Sequence, residues 1–238
     1  MVQTLKTPIE SKNTLLLSIV LKLVIIVFSF IGFALTIYEG ITQHTFIKLT
    51  YFTIISNIFI LISTIAFLVS SIARYFNHYI YASRIFFILR FCALIAITIT
   101  DFLFDFIMTP VAGISLLSSL DSVCFHVIVP FFSIIDFLVT NTVYKIRLKD
   151  LFLSLIYPLC YFAYVMTLSY GFNVRWDDGV SYAPYPFLDY HANTWFDKGD
   201  YIGVFYWFII LVAIFFAVAY LFKLFQYVVK KKHLHIFR

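Results

Sequence analysis

The stretch Asp121–Thr140, DSVCFHVIVPFFSIIDFLVT, decides the fold of this chain. Most of its side chains are apolar, and as a helix it is long enough to cross about 30 Å of membrane hydrocarbon. The run nevertheless contains His126, Pro130 and Asp136. Because lipid cannot solvate ionisable side chains, such residues usually face a partner or a water-filled cavity. We therefore expect His126 to be one half of a polar pair whose other half is a threonine on another helix.

The composition of the whole chain is that of a polytopic membrane protein. Of its 238 residues, 63% are hydrophobic and 12% are charged, whereas soluble domains average about 45–50% apolar and about 25% charged residues. Its cysteines lie inside apolar runs, where their spacing fits small core side chains better than a disulfide framework or a metal site. These cysteines are Cys92, Cys124 and Cys160. We expect neither a metal nor an organic cofactor.

The apolar runs predict an all-α bundle of six transmembrane helices in a single domain covering residues 1–238. The domain has short polar tails at 1–13 and 230–238 and one long extracytoplasmic loop at 171–200. Lys22 lies within snorkelling reach of the N-terminal side, and Arg90 either snorkels or pairs with an acidic neighbour. The helices are expected at Thr14–Tyr38, Ile47–Ile72, Arg84–Ile107, Leu120–Thr140, Leu151–Tyr170 and Tyr201–Val229.

The distribution of lysine and arginine predicts the orientation, because cytoplasmic loops carry an excess of both. We expect both termini in the cytoplasm, and we explain the net charge of +5 by topology and by attraction to anionic lipid. A nucleic-acid partner is not expected, and the oligomeric state is left open. One side carries Lys6, Lys12, Arg74, Arg84, Lys145, Arg147, Lys149, Lys223, Lys230, Lys231, Lys232 and Arg238, and the other carries Lys48, Arg175 and Lys198.

Three polar residues on three predicted helices share one layer beneath the outer membrane surface. Thr53, His126 and Asp101 each lie about six residues from the outer end of their helix, which is roughly 9 Å at 1.5 Å per residue. Asn57 follows Thr53 by one helical turn and shares its face. Pro130 can bend its helix toward a cavity, because it cannot donate to the carbonyl of His126.

This layer is suited to nucleophilic catalysis. A threonine hydroxyl becomes a nucleophile when a base takes its proton, and histidine is the usual base. We predict Thr53 as the nucleophile and His126 as the base, with Asp101 or Asn57 orienting the imidazole or stabilising the oxyanion. Thr50 is the alternative nucleophile. The expected electrophile is a membrane lipid ester that enters sideways, and the loop at 171–200 is expected to cover the mouth.

Two other interpretations remain open. In one, the protein is a transporter of small solutes or protons, or a ligand-binding membrane protein, with a polar path lined by His126, Asp101 and Asp136. In the other, the polar layer only fixes the register of the helices, since a threonine in a membrane helix usually bonds to its own backbone.

The sequence around the two main candidates resembles the androgen-induced gene family, which includes the androgen-dependent TFPI-regulating protein. The run KLTYFT at residues 48–53 is similar to the Lys-Tyr-Leu-Thr-Phe motif of that family, and the run from His126 to Pro130 is similar to its His-x-x-x-Pro motif. The resemblance implies a multi-pass hydrolase of fatty acid esters of hydroxy fatty acids. The Tyr-x-Thr match of the resemblance assigns the nucleophile to Thr53. Its Lys-to-Thr spacing is nearer to that of Lys48 and Thr50, which keeps Thr50 as the alternative, and its histidine corresponds to His126.

A closer resemblance extends from the second to the sixth predicted helix and is to uncharacterised bacterial six-helix membrane proteins. The shared features are Tyr-Phe-Thr-x-x-Ser-Asn, the His-x-x-x-Pro helix with a following aspartate, and Tyr-Pro-Phe-Leu-Asp. In this chain they fall at residues 51–57, at His126 to Asp136, and at residues 185–189, with a further Tyr-Pro pair at 157–158. This resemblance implies a bacterial cell membrane and no particular activity.

Overall fold

The computed structural model describes residues 11–78, 82–103, 119–139, 144–176, 179–196 and 202–236. Within these ranges the chain is helical, and six helices are long and apolar enough to cross a membrane. Helix α4 consists of Leu120–Val123, the π-helical turn Cys124–Ile128 and Val129–Val139, which follow one another without a break. The others are α1 (Lys12–Thr42), α2 (Phe52–Tyr75), α3 (Arg84–Leu103), α5 (Leu148–Met166, followed by the π-helical turn Thr167–Gly171) and α6 (Val204–Ile236).

The prediction of six helices long and apolar enough to cross a membrane is confirmed, and several of their ends are corrected. Helix α2 begins at Phe52, because Ile47–Thr50 forms a 3₁₀ turn and Tyr51 is extended. Helix α5 begins earlier than predicted, where the Asp150 carboxylate accepts a hydrogen bond of 2.6 Å from the Arg147 amide. Helices α1 and α6 are both longer at their C-terminal ends than predicted. The predicted end of the third helix and the predicted loop 108–118 lie outside the described residues.

Helix α3 is the centre of the bundle. Its segment Ala93–Ile97 is at most 2% exposed at every side chain, as expected for a helix that is apolar all round. It packs against α2, α4, α5 and α6. Helix α1 packs against α2 and α4 through a buried stripe that includes Ser18, Ser29 and Gly32, because small side chains allow helices to approach closely.

A buried ionic cluster of Lys22, Arg90 and Asp136 joins α1, α3 and α4. The Lys22 ammonium donates to one Asp136 oxygen at 2.6 Å, and the Arg90 guanidinium donates to the other. All three side chains are at most 4% exposed. The prediction that Lys22 extends toward the tail is therefore wrong, because Asp136 lies within its reach and a paired charge is less costly inside lipid than a lone one. Of the two alternatives predicted for Arg90, the structure shows pairing with an acidic neighbour.

The bundle is also tied together at the end where α3 and α5 begin. Arg84 at the start of α3 bonds the carboxylate of Asp150 in α5 and donates to the Lys145 carbonyl at 3.0 Å. Gln226 of α6 accepts from the Ile146 amide at 2.7 Å. These bonds fix the first turn of α5 relative to both neighbouring helices.

The segment between α5 and α6 folds over the opposite end of the bundle. Asp189 accepts from the amides of Tyr182 and His191, both at 2.9 Å. Trp176 is completely buried beneath this segment. The predicted loop at 171–200 is therefore, in its described residues, a compact cap with internal hydrogen bonds.

We expect Asp136→Leu to lower the stability of the protein in detergent by about 3–5 kcal/mol, because it removes the carboxylate that two buried cations bond. The charge-free triple variant Lys22→Met, Arg90→Met, Asp136→Leu should recover most of that loss, since apolar residues can replace a buried ionic cluster at little cost. Thermal unfolding measures both.

The matched control is Glu39→Gln, because Glu39 forms an ion pair of 2.5 Å with Lys48 that is partly exposed. Exposed pairs contribute only about 0–1 kcal/mol, so this variant should unfold close to the wild-type temperature. A triple variant no more stable than Asp136→Leu would contradict the assignment of the loss to uncompensated charge.

Candidate functional site

His126 lies in the π-helical turn Cys124–Ile128 near the start of α4. Pro130 contributes to this irregularity, because it has no N–H to donate to the carbonyl four residues earlier. Turns of this kind are frequent at functional sites. The Phe125 ring fits against Gly32 of α1, where an added Cβ would come within 2.6 Å of a ring carbon. The glycine therefore permits the close contact that holds the turn.

Thr53 lies in the first turn of α2 and is 7% exposed. The predicted depth of six residues is corrected, because the helix begins at Phe52. The Asn57 side-chain amide donates to the Thr53 carbonyl at 2.8 Å and to the Phe125 carbonyl at 3.5 Å. Asn57 thus ties the backbone of Thr53 to the backbone of the residue before His126, and it does not line the pocket described next.

Thr53 and His126 line the same pocket, which comprises about 770 Å³ counted out to its open mouth. The structure therefore brings together the two residues that the sequence analysis paired, and it adds the hydroxyl of Thr100 from α3. The remaining wall is largely apolar and consists of Phe52, Pro158, Leu159, Tyr161, Phe162, Tyr185, Phe187, Leu188, Phe208, Leu211, Val212 and Phe215.

The mouth of the pocket lies between α5 and α6. Leu159 of α5 lines the pocket and is 42% exposed, and Phe208 and Leu211 of α6 are half-buried. All three belong to helices of membrane-crossing length, so their exposed surface faces hydrocarbon in a membrane.

Tyr185 closes the pocket on the side of the cap. Its ring stacks on Phe187 at a centroid distance of 5.4 Å and meets the edge of Tyr51 at 5.7 Å. Burial raises the pKa of the Tyr185 phenol to about 12, and hydrogen bonds with Thr53 and Tyr161 oppose part of the increase. The phenol is therefore protonated at neutral pH and presents its hydroxyl beside Thr53. Tyr185 begins the Tyr-Pro-Phe-Leu-Asp motif, but the sequence pattern alone does not place it beside Thr53.

Thr50, the alternative nucleophile, contacts residues of the cap and does not line the pocket. Its hydroxyl donates to the Ile47 carbonyl at 2.6 Å and accepts from the indole N–H of Trp176 at 2.9 Å. Tyr161 donates to the Thr50 carbonyl at 3.1 Å. Thr50 is not among the described residues that line the pocket, and its contacts connect the cap to the 3₁₀ turn before α2.

The two predicted aspartates also lie away from the pocket. Among the described residues its lining includes Thr100 and not Asp101, and the Thr100 hydroxyl donates to the Ala96 carbonyl at 2.9 Å. Asp136 bonds Lys22 and Arg90. The pocket therefore contains one of the three side chains of the predicted solute path. In the described part of the chain, no group of three or more His, Cys, Asp or Glu side chains is arranged to hold a metal ion.

Comparisons with known protein families, curated proteins and solved structures find no match for this chain. The resemblances noted in the sequence therefore remain predictions, and the function is argued from the geometry and chemistry of the pocket.

We expect Thr50→Val to lower the free energy of unfolding by about 1–3 kcal/mol, because it leaves the buried indole N–H of Trp176 without its acceptor. The control is Thr98→Val, which removes only a hydroxyl that donates to the Leu94 carbonyl of its own helix. Thermal unfolding followed by tryptophan fluorescence measures both. Equal stability of the two variants would show that the bond between Trp176 and Thr50 contributes little.

Proposed function

We propose that this integral membrane protein is a lipid ester hydrolase in which Thr53 is the nucleophile and His126 is the base. The observation that carries the proposal is that both side chains line one pocket whose wall is otherwise mostly apolar. The exposed lining residues of α5 and α6 support sideways entry from the membrane. Fatty acid esters of hydroxy fatty acids are candidate substrates through the resemblance, and membrane lipids are both the environment and the source of substrate.

The reaction takes place in two steps. His126 takes the hydroxyl proton while the Thr53 oxygen attacks the ester carbonyl carbon, and the protonated imidazole then gives that proton to the departing alcohol. The product is an acyl-threonine. His126 next takes a proton from water, which attacks the acyl carbon; the free acid leaves and Thr53 recovers its proton. Neither step requires a cofactor.

Tyr185 is our candidate for the donor that stabilises the oxyanion. It lines the pocket with Thr53, and its raised pKa keeps it a hydrogen-bond donor at neutral pH. A fixed donor that faces developing negative charge in an apolar site contributes strongly to catalysis. Asn57 is a positioning residue in this scheme, because its amide bonds the backbone of Thr53 and of Phe125.

A fluorophosphonate probe tests the reaction, because it traps activated hydroxyls as a phosphonate ester with loss of fluoride. We expect labelling of the wild-type protein, loss of labelling in Thr53→Ala and His126→Ala, and labelling roughly 10²-fold slower in Tyr185→Phe. Thr50→Val and Thr98→Val should both be labelled at close to the wild-type rate. A wild-type preparation that unfolds cooperatively yet takes up no label would contradict the proposal, as would full labelling of Thr53→Ala.

We further infer that both termini are cytoplasmic and that the cap is extracytoplasmic, and the resemblance makes a bacterial cell membrane the expected location. Described basic residues are concentrated at the end of the bundle opposite the cap, as the orientation rule requires of a cytoplasmic face. Examples are Arg74, Arg84 and Arg147.

Green fluorescent protein exported in unfolded form does not become fluorescent outside the cytoplasm, and alkaline phosphatase is active only there. We therefore expect fluorescence from the first reporter when it is fused after Arg238, and phosphatase activity when the second is inserted in the cap after Gly179. The reverse pattern would show that the termini are extracytoplasmic and the cap is cytoplasmic, and it would not affect the description of the pocket.

A further inference from the structure

The wall of the pocket contains no formal charge in the part of the chain that the structure describes. Its polar groups are the hydroxyls of Thr53 and Thr100, the phenols of Tyr161 and Tyr185, and the imidazole of His126. The rest of the lining is aliphatic or aromatic. No lysine or arginine is present among these residues to accept a carboxylate or a phosphate.

Lys198 lies outside the described residues, and the described lysine and arginine residues nearest the cap are bonded to groups that do not line the pocket. The guanidinium of Arg175 lies 3.8 Å from the centroid of the Tyr182 ring and donates to the Val174 carbonyl at 2.8 Å. Lys48 pairs with Glu39 at 2.5 Å. The segment 104–118, which lies outside the described residues, contains no lysine or arginine in its sequence.

The shape of the wall suits a hydrocarbon chain. Phe208, Leu211 and Phe215 follow one another at helical spacing and extend the lining over about 10 Å of the α6 axis. Pro158 and Leu159 of α5 form the facing side. Because a membrane-crossing helix lies nearly along the bilayer normal, this groove runs in the direction that lipid acyl chains already take.

An anion placed among the apolar side chains of this wall would lose its hydration without gaining a lysine or arginine as partner, and such a change is strongly unfavourable. Methylene groups placed there would gain free energy by burial. The same wall therefore favours an uncharged chain and rejects a charged one of equal length.

We propose that the pocket binds the fatty acyl half of the ester and that this half is uncharged along its whole length. Any carboxylate or phosphate of the substrate belongs to the alcohol half and stays outside the mouth. This inference rests on the proposed hydrolase function and adds to it a substrate class, namely esters of simple fatty acids. The uncharged wall is then the determinant of specificity.

The test compares two fluorogenic esters of 4-methylumbelliferone with the purified protein in detergent. One carries octanoate, and the other carries the ω-carboxy analogue of equal chain length, the monoester of suberic acid. The hydrolysis rate of the Thr53→Ala variant is subtracted from each rate as background. We expect kcat/KM for the ω-carboxy ester to be at most about 1% of that for the octanoate ester, because its buried carboxylate has no lysine or arginine as partner.

A second measurement places a cation in the wall. Leu211→Arg should narrow the preference for octanoate by about tenfold, because the guanidinium can pair with the carboxylate. The matched control is Leu224→Arg on the same helix, since Leu224 is exposed and does not line the pocket. This control should leave the preference unchanged.

The outcomes separate the two proposals. If the wild-type protein hydrolyses both esters at equal rates, the uncharged-acyl inference is wrong and the hydrolase proposal stands. If it hydrolyses neither ester above the Thr53→Ala background, both proposals fail. If the preference persists but Leu211→Arg and Leu224→Arg change it equally, the wall is not its determinant.

Discussion

The bond from Asp136 to both Lys22 and Arg90 is the constraint on which the arrangement of α1, α3 and α4 depends. Each of these charges alone would be costly in hydrocarbon, by about 2.5–3.5 kcal/mol on insertion scales. Together they are compatible with lipid only when α1, α3 and α4 meet at one level. The cluster thus fixes the axial position of α4, and with it the level at which Phe125 meets Gly32. The position of His126 follows from a contact formed ten residues further along the same helix.

The π-helical turn determines the direction in which α4 presents its polar residues. One additional residue in a turn rotates the two flanking segments relative to each other by about 100°, the angle of one residue at 3.6 residues per turn. Asp136, after the turn, faces α1 and α3. His126, inside the turn, lines the pocket beside residues of α5 and α6. In a regular helix, the fixed period determines the angle between the directions of these two side chains. The irregular turn changes that angle.

These two features also explain how much of the structure the sequence could predict. Hydropathy alone predicts the six crossings, because only a long apolar helix satisfies its backbone in lipid. The sequence indicated that Thr53 and His126 share one layer, but the depth on which this rested is wrong for Thr53, because α2 begins at Phe52. The pairing of Lys22 with Asp136 could not be predicted from the sequence, since it joins residues far apart in the chain and depends on which helices are neighbours. Thr100 was missed in favour of Asp101 because a shift of one residue changes the helix face, and helix periodicity does not fix absolute rotation.

The pocket lies at the boundary between two differently packed halves of the bundle. In α2 and α3, 56% of the most apolar window is buried inside the protein, compared with 22% in α5 and 17% in α6. Helices α2 and α3 supply Thr53 and Thr100, and α4, in which 39% of the window is buried, supplies His126. Helices α5 and α6 supply much of the apolar wall. A reacting group needs a fixed position, which dense packing and buried polar bonds provide. A lipid substrate needs a wall that it can reach from the membrane, which only helices exposed to lipid can offer. This difference in packing is compatible with the two requirements of the proposed hydrolase.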